Sequence, residues 1–347
     1  MCTPNPQQQP LLLQPSFMCV AGWYRVGKLL GSGGSGEPTL TCSKKNLSFL
    51  GSVYLGKDIK TGGEVAVKIG HIGFSPSKLS HEHDVYKKIA GSTGISPIHW
   101  YGKEDIYEVI VMDFLRTSLD DMISMQHFDH RKTFFSASQM VHSMYHYVQT
   151  YRDLTRLVPQ LSAVESLHTQ RYIHCDIKPG NFMIRVDGDD SLSVFLIDFG
   201  VAQLFREPTT YLHNPYSTNH PIVGTLPFMS INSQQGYARS RRDDLKSLVY
   251  TIIYLACGKL PWASRVDKTV LRKKSSITVE ELCKGLPAPF CKFVNCVCSL
   301  GFNEMPDYQY LHSVLLECSE QAKTNQPGKP LSCSTCSHVY SDGIPWV

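Results

Sequence analysis

Two short apolar runs in the amino-terminal part of the chain predict strands, and a helical pattern lies between them. The run Glu64–Ile69 alternates apolar residues, and the run Val109–Leu115 is almost continuously apolar. From residue 79 to residue 89 the apolar residues recur at the spacing of one helix face, and Glu82 falls on that face.

The remainder of the chain favours helices. Its strongest apolar run, Leu248–Cys257, is too short to span a membrane and is typical of a buried helix. A short apolar stretch ending at Ile197 predicts a strand just before Asp198. Pro159 should interrupt any helix that continues through it, because proline lacks the backbone donor. The two ends of the chain are rich in Pro, Gln, Ser and Thr and predict flexible tails.

Composition and charge narrow the classes of function. Hydrophobic residues make up 42% of the 347 positions, which is enough for a full core. The net charge of +4 is mild and no basic stripe is present, so nucleic acid is not an expected partner. No stretch reaches membrane-spanning length, so a membrane is not expected either. The 12 cysteines are scattered without a disulfide framework, which favours the cytoplasm or the nucleus.

Four residues near the middle of the chain carry the most specific chemistry. Asp176, Lys178 and Asn181 fall within six positions, and Asp198 follows as the first residue of an Asp-Phe-Gly turn. Asp176 can accept the proton of a substrate hydroxyl, and Lys178 can lie against a phosphate during its transfer. Asn181 and Asp198 can supply hard oxygen ligands to Mg²⁺. Either short motif alone would carry little weight, but the two in this order indicate a phosphoryl-transfer site.

Three upstream features fit the same chemistry. Gly31–Gly36 follows a G-x-G-x-x-G pattern whose backbone amides can approach phosphate oxygens, although glycine–serine runs are more often linkers. Lys68 is placed to reach nucleotide phosphates, although by itself it would be taken for a surface lysine at a strand end. Glu82 on an apolar helix face needs a cation, and Lys68 is the expected partner, because Asp84 lies off that face and is the weaker candidate carboxylate.

Further motifs in order along the chain carry a family resemblance. They are Val111–Leu115, Ser118–Asp121, Ser230–Asn232, Ser240–Leu248, Gly258–Trp262, Leu282–Gly285 and Pro306–Leu311. On these residues the chain resembles the casein kinase I family of serine/threonine protein kinases, from about residue 24 to about residue 316. The resemblance implies an α+β, bilobal protein-kinase fold. A small lobe (23–110) would hold the sheet and one helix, a mainly helical large lobe (111–318) would follow, and residues 1–22 and 319–347 would be tails.

The resemblance also implies site residues and partners. Asp176 would be the catalytic base, with Lys178, Asn181, Lys68 and Glu82 beside it, and Asn181 and Asp198 would bind Mg²⁺. The residues implied to bind ATP are Leu30, Gly31, Ser32, Gly33, Gly36, Val53, Ala66, Lys68, Met112, Asp113 and Leu115. Substrates would be protein serines and threonines, because Lys178 two positions after the acid is the serine/threonine pattern. The positive net charge favours acidic or phosphorylated substrates.

The chain departs from the family pattern in its glycine-rich loop. Glu37–Gly51 separates the last glycine from Ser52–Gly56, a strand that the family places directly after it. Because a short turn fixes the register of such a hairpin, a long polar insert should make the loop floppy and weaken nucleotide binding. The insert is either a tolerated surface loop or a translated intron, since its two ends can be encoded with the splice-like junctions GTGAG and TTAGG. The mature transcript decides between these alternatives.

Three other departures bear on regulation and substrate choice. An excess of residues near Phe134–Arg152 predicts an inserted surface segment. Cys175 stands where the family has an arginine that pairs with a phosphorylated activation loop, so we expect no switching by such a phosphate. No arginine lies near Leu226 or Pro227, and Arg272–Lys274 matches the family's basic cluster only in part, which weakens the case for phosphate-primed substrates.

These observations leave three hypotheses of function. The first is an active serine/threonine kinase that uses Mg-ATP, and it is favoured because none of the catalytic residue types is lost. The second is a pseudokinase or scaffold with impaired ATP binding, which the interrupted loop, Cys175 and the two inserts support. The third is a misspliced product that barely folds.

Overall fold

The computed structural model describes residues 19–32, 51–72, 78–126, 158–186, 192–262 and 267–324. The described residues form two compact units. The smaller unit contains those up to Ser80 together with Ile98–Phe114, and the larger unit contains His81–Pro97 and those from Leu115 onward. The predicted loop glycines Gly33 and Gly36 and the predicted insert near Phe134–Arg152 lie outside the described residues.

The smaller unit is built on one antiparallel sheet with the strand order β1-β2-β3-β4-β6-β5. Its strands are β1 (Cys19–Val20), β2 (Tyr24–Ser32), β3 (Ser52–Asp58), β4 (Glu64–His71), β5 (Ile98–Glu104) and β6 (Tyr107–Asp113). Both predicted strands are confirmed. The second ends at Asp113, two residues earlier than the apolar run, and its ladder with β4 ends at the pair of Asp113 with Val65.

The core of this sheet lies on one face. Val65, Val67 and Ile69 of β4 pack there with Val109 and Val111 of β6. Because successive side chains of a strand point to opposite faces, the intervening residues of both strands lie on the other face. The alternation of side chains along these strands therefore separates a core-forming face from a second face.

Helix α1 (Lys78–Ile89) follows β4 and has the predicted amphipathic pattern. Its apolar stripe is buried, and the exposed fraction of Glu82 on the same stripe is only 1%. Asp84 lies off the stripe, with 70% of its side chain exposed. The sequence prediction of a helix that carries one buried carboxylate is confirmed.

The larger unit is mainly helical. Its helices after α1 are α2 (Leu119–Gln126), α3 (Val158–Thr169), α4 (Ile231–Gln234), α5 (Arg241–Cys257), α6 (Asp267–Ser276), α7 (Val279–Leu282), α8 (Ala288–Ser299) and α9 (Tyr308–Thr324). Its strands are β7 (Thr117–Ser118), β8 (Tyr172–Ile173), β9 (Phe182–Val186), β10 (Leu192–Leu196) and β11 (Gln203–Leu204). An antiparallel sheet unit and a helical unit make this the predicted bilobal α+β fold.

Helix α5 is the central element of the larger unit. It contains the predicted buried run Leu248–Cys257 and begins earlier, at Arg241, where Ser240 and Asp243 form a capping box. It ends at Gly258, whose φ of 74° is the left-handed conformation of a helix C-cap. Nearly every residue of its first three turns is buried, so α5 offers fixed side chains to the loops packed around it.

Two further boundaries differ from simple expectation. Helix α3 begins at Val158, so Pro159 lies in its first turn, where the missing backbone donor has no intrahelical partner to lose. Helix α9 continues to Thr324, beyond the predicted domain end at residue 318, because Cys318 and Ser319 are buried in the larger unit. Among the described residues, no helix combines the length and apolar character needed to cross a bilayer.

Candidate active site

One face of the small sheet collects the residues predicted to bind the nucleotide. Gly31 lies opposite Val53, Val53 lies opposite Lys68, and Ala66 lies opposite Met112. Directly opposite residues of antiparallel strands share a face, and Ala66 and Lys68 share one because they are two positions apart. This face is the one turned away from the valine core, so the sheet aligns five predicted residues on a single surface.

The pairing of β2 with β3 is intact on both sides of the long insert. The ladder continues through Gly31 opposite Val53 and reaches Ser32 opposite Ser52, with two register shifts between Val26 and Gly31. Register in this hairpin is therefore set by its strands and not by a short turn. The expected floppiness of the loop concerns residues outside the described ranges, so it stays a prediction, as does its effect on nucleotide binding.

The other residues predicted to bind the nucleotide are placed less specifically. Leu30 lies in β2 and is 46% exposed. The Asp113 carboxylate accepts a hydrogen bond from His99 Nε2 at 2.7 Å, so its side chain is held within the sheet. Leu115 is buried but belongs to the larger unit. The pairing of Lys68 with Glu82 also joins residues of different units and stays a prediction.

The catalytic loop brings Asp176 and Lys178 together. Lys178 Nζ lies 2.8 Å from Asp176 Oδ2, and both side chains are largely buried. Thr225 closes the arrangement: its backbone N–H donates to Asp176 Oδ1 at 2.7 Å, and its hydroxyl accepts from Lys178 Nζ at 3.0 Å. The carboxylate is thus held in one orientation by an amide and an ammonium group, as a proton acceptor must be.

The imidazole ring of His174 holds the catalytic loop through hydrogen bonds. This ring is fully buried, and its Nδ1 accepts the backbone N–H of Asp176 at 3.2 Å. Its Nε2 must then carry the proton, which it donates to the carbonyl of Ile197 at 3.0 Å. His174 therefore ties the strand end that leads to Asp198 directly to the loop that carries Asp176.

Asp244 on helix α5 anchors the same loop. Its carboxylate accepts the backbone N–H groups of His174 at 2.6 Å and Cys175 at 2.9 Å, and the ring of His168 at 3.0 Å. Burial alone would raise the pKa of Asp244, but the hydrogen bond and charge of His168 hold that pKa below its ordinary value. A carboxylate kept ionised in the protein interior fixes two consecutive amides of the catalytic loop.

Asn181 and Asp198 are positioned by backbone geometry. A single 3₁₀ turn, Pro179–Asn181, places Asn181, whose side-chain Nδ2 donates to the Asp176 carbonyl at 2.8 Å. This leaves the amide oxygen of Asn181 available to a cation. The backbone N–H of Ile197 donates to the Asn181 carbonyl at 3.0 Å, and Asp198 follows in the left-handed conformation with φ of 68°. Non-glycine residues with positive φ are uncommon and cluster at functional sites.

Glu82 and Asp198 both lie near Gly200. A Cβ atom placed on Gly200 would be 3.6 Å from Asp198 Oδ1 and 3.6 Å from Glu82 Oε2. The Asp198 carboxylate and the Asn181 amide oxygen are hard oxygen donors, so this donor set fits a divalent cation such as Mg²⁺.

Two residues that the sequence analysis did not select complete the site. One is Thr225, described above, and the other is Gly224, whose φ is 111°. A Cβ atom on Gly224 would lie 2.6 Å from the Cys175 carbonyl oxygen and 3.4 Å from Asp176 Oδ1. Only glycine fits this close backbone approach. The Gly-Thr pair beside the Asp176 loop was visible in the sequence, but its contact with that loop was not.

Cys175 occupies the position where the family resemblance implies arginine. Its φ is 68°, and burial raises the pKa of its thiol well above the ordinary value, with Asp244 adding to the effect and Arg239 opposing it. A neutral thiol cannot pair with a phosphate. The Arg239 guanidinium contacts this thiol and also donates to the Pro221 carbonyl. An arginine from outside the catalytic loop therefore holds residue 221, in the activation segment between Asp198 and Ser230.

Comparison with known proteins agrees with this geometry. A family model described as protein kinase domain matches residues 48–287, which is more than half of the chain. Together the fold and the match show that the chain belongs to the protein kinase domain family. The matched segment begins within the insert, so it contains the catalytic loop and Asp198 and leaves out Gly31–Gly36.

Proposed function

We propose that the protein is an active serine/threonine kinase of the casein kinase I type that phosphorylates proteins with Mg-ATP. The observation that carries the proposal is the Asp176 carboxylate, which accepts from the Thr225 amide at 2.7 Å and contacts the Lys178 ammonium at 2.8 Å. A scaffold that only binds partners has no need of a buried carboxylate held in this way.

The proposed reaction uses Asp176 as the general base. Its carboxylate accepts a hydrogen bond from a serine or threonine hydroxyl and takes the proton while the hydroxyl oxygen bonds to the γ-phosphorus and the bond to the leaving diphosphate breaks. Lys178, already bound to Asp176, offers its remaining N–H donors to the oxygens of the transferred group. Both residues are fixed before substrate arrives, so little reorganisation is needed during transfer.

The residues proposed to hold the metal and those proposed to hold the nucleotide come from the sequence motifs. Asp198 and the Asn181 amide oxygen would ligate Mg²⁺, which neutralises developing negative charge when bound. Lys68 would contact the phosphates, and the sheet face bearing Val53, Ala66 and Met112 would support the adenine.

The preference for serine and threonine rests on the family resemblance, because Lys178 stands two positions after Asp176 as in the serine/threonine pattern. We also propose, from the free cysteines and charge balance, that the protein acts in the cytoplasm or nucleus on acidic proteins.

Replacement of the base tests this function. Asp176→Asn keeps the shape of the side chain and removes its ability to take a proton, so phosphate transfer to casein should fall by about 10² to 10⁴. The matched control is Asp84→Asn, an exposed carboxylate on α1, which should leave transfer within about twofold. Transfer by Asp176→Asn at the wild-type rate would contradict the assignment of the base.

A pseudokinase or scaffold is the second candidate, and the long connection between Ser32 and Ser52 favours it. It predicts that the folded wild-type protein transfers no phosphate under conditions in which the control enzyme of the assay is active. Absence of transfer together with weak or absent ATP binding would support this candidate over the first.

A further inference from the structure

Lys274 is a buried lysine that the proposed mechanism does not use. It lies near the end of the polar helix α6 and is only 4% exposed, whereas its neighbours Arg272 and Lys273 are exposed. No carboxylate pairs with it among the described residues. Burying an ammonium group without a counter-ion costs free energy unless other groups accept its hydrogen bonds. The groups that contact Lys274 Nζ therefore show what this lysine holds in place.

Those contacts all lead to one short segment and its surroundings. Nζ donates to the Leu226 carbonyl at 2.9 Å and to the Met229 carbonyl at 2.6 Å. It also lies 5.0 Å from the centre of the Tyr250 ring and 5.3 Å from that of Trp262. Two carbonyl dipoles and two aromatic faces thus replace a carboxylate as partners of the amine.

Trp262 supports the same segment by an independent contact. Its indole Nε1 donates to the Pro227 carbonyl at 2.8 Å. The backbone N–H groups of Phe228 and Met229 both donate to the Thr225 carbonyl at 3.0 Å. Residues 226–229 therefore form a tight turn that is hydrogen-bonded to the Thr225 carbonyl. The side chains of Lys274 and Trp262 donate hydrogen bonds to the carbonyls of this turn.

The ends of this turn are fixed at functionally important places. Thr225 contacts both Asp176 and Lys178. On the other side Ser230 caps helix α4 and donates to Asp243 at 2.6 Å. The 226–229 turn therefore follows directly after the residue that holds Asp176, next to the place where an acceptor hydroxyl would bind.

We propose that Lys274 is a positioning residue that shapes the 226–229 turn as the surface against which the protein substrate lies next to its acceptor hydroxyl. This inference rests on the proposed kinase function. It also explains why Arg272–Lys274 does not act as a uniform basic cluster: its third member is enclosed in the protein and cannot reach a phosphorylated substrate.

The test compares Lys274→Met with the adjacent, exposed control Lys273→Met. Methionine has a similar length but cannot donate to the two carbonyls. We expect the KM for casein to rise about tenfold in Lys274→Met while the KM for ATP stays within about twofold. The reason is that the substitution weakens binding of the protein substrate and leaves the nucleotide site unchanged. Amide hydrogen exchange at Phe228 and Met229 should become about tenfold faster or more, with exchange elsewhere unchanged.

The outcomes separate this inference from the proposed function. An unchanged KM for casein, or equal rises in both KM values, would overturn the role of Lys274. If the wild-type protein transfers no phosphate, the kinase proposal fails, and hydrogen exchange still tests the role of Lys274. Faster exchange confined to residues 226–230 in Lys274→Met supports a positioning role. Faster exchange throughout the larger unit refutes it. Should Lys274→Met fail to fold, Trp262→Phe removes the indole donor to the Pro227 carbonyl together with part of the buried ring beside Lys274. It should give a smaller change of the same kind, whereas no change would count against the inference.

Discussion

The catalytic loop and the glycine-rich hairpin serve one proposed reaction, but they are built in different ways. The catalytic loop is short and held from many directions, by Asp244 from α5, by His174 from within, and by Thr225 from the activation segment. The hairpin has regular strand pairing up to Ser32 and Ser52, with a long insert between them. The family match includes the loop and begins after the glycines.

This contrast suggests how the chain tolerates its insert. Proton acceptance and metal binding need side chains fixed to within fractions of an ångström, and the larger unit supplies that support through buried polar contacts. Nucleotide phosphates can be contacted by backbone amides that become ordered on binding, at a cost in affinity. We therefore expect changes in the loop to alter the rate of transfer and changes in the hairpin to alter the affinity for ATP.

The largest effect among four further tests should come from Gly224→Ala. The new Cβ would lie 2.6 Å from the Cys175 carbonyl oxygen, at a backbone φ of 111°, so the activation segment must shift away from Asp176. We expect kcat to fall about 10²-fold, since small displacements of catalytic groups are that costly, with KM for ATP little changed. Steady-state kinetics measure both.

Gly180→Ala is the control for this substitution. Gly180 lies in the catalytic loop itself, but a Cβ there meets no atom within 4 Å. Its kcat should stay within about threefold. Equal losses in the two variants would show that any alanine in this region is harmful and that the close approach of Gly224 is not the cause.

The second test concerns the pH dependence of stability through Lys274. Burial lowers the pKa of Lys274 to about 7 in the folded protein, below its ordinary 10.5. Between these values the unfolded chain binds more protons, so the free energy of unfolding should rise with pH by up to about 1.4 kcal/mol per unit. Relative to Lys274→Met, the wild-type protein should gain about 2 to 3 kcal/mol between about pH 7.5 and about pH 9.5 in denaturant unfolding.

The exposed neighbour provides the reference for this measurement. The difference between wild type and Lys273→Met should not change with pH, because Lys273 is exposed in both states. If the wild-type protein gains nothing over Lys274→Met on the same pH change, the carbonyls and aromatic rings keep the ammonium form stable and the pKa is not lowered.

The third test shortens the hairpin. Deletion of Glu37–Gly51 joins Gly36 to Ser52 and shortens the connection between the paired strands several-fold. The entropic cost of ordering that connection should fall by about 1 kcal/mol, which corresponds to about fivefold tighter ATP binding. Isothermal titration with Mg-ATP measures the affinity, and kcat should not change.

A composition control isolates the effect of length. Replacement of Glu37–Gly51 by glycine and serine residues in equal number should leave ATP affinity at the wild-type value within about twofold. If the deletion weakens binding while this replacement does not, the insert contributes to the nucleotide site instead of hindering it.

The smallest effect is expected from phosphatase treatment. Cys175 has a neutral thiol, and Arg239 beside it is already bound to the Pro221 carbonyl. A phosphate on the activation segment would find no arginine at residue 175 with which to form a bidentate pair. Activity should therefore change by less than about twofold, and a large drop traced to a phosphate in this segment would contradict the account.

The sequence revealed local patterns more fully than long-range contacts. Alternation predicted β4 and helical spacing predicted α1, because burial on one face leaves a periodic record in neighbouring residues, and a continuous apolar run predicted β6. Asp176 and Asp198 could be selected since their motifs are compact. The roles of Gly224 and Lys274 could not, because each depends on a contact with a residue more than 40 positions away along the chain.

The interrupted hairpin shows a different limit. A short turn is one way to fix strand register, and its absence suggested a disturbed clamp. Strand β3 is instead held in the sheet from its other side, by six consecutive pairs with β4 from Ser52 opposite Ile69 to Lys57 opposite Glu64. Sequence distance along β2 and β3 is therefore a poor guide to their pairing.

The most direct test of the central claim is the thermal stability of the full-length protein with ATP, measured with and without Mg²⁺. The account predicts that Mg-ATP raises the melting temperature by several degrees, that ATP alone does so much less, and that Asp198→Asn abolishes the difference. No stabilisation of the folded wild-type protein by Mg-ATP at millimolar concentration would contradict it, because the protein would then not bind the nucleotide that the proposed reaction uses.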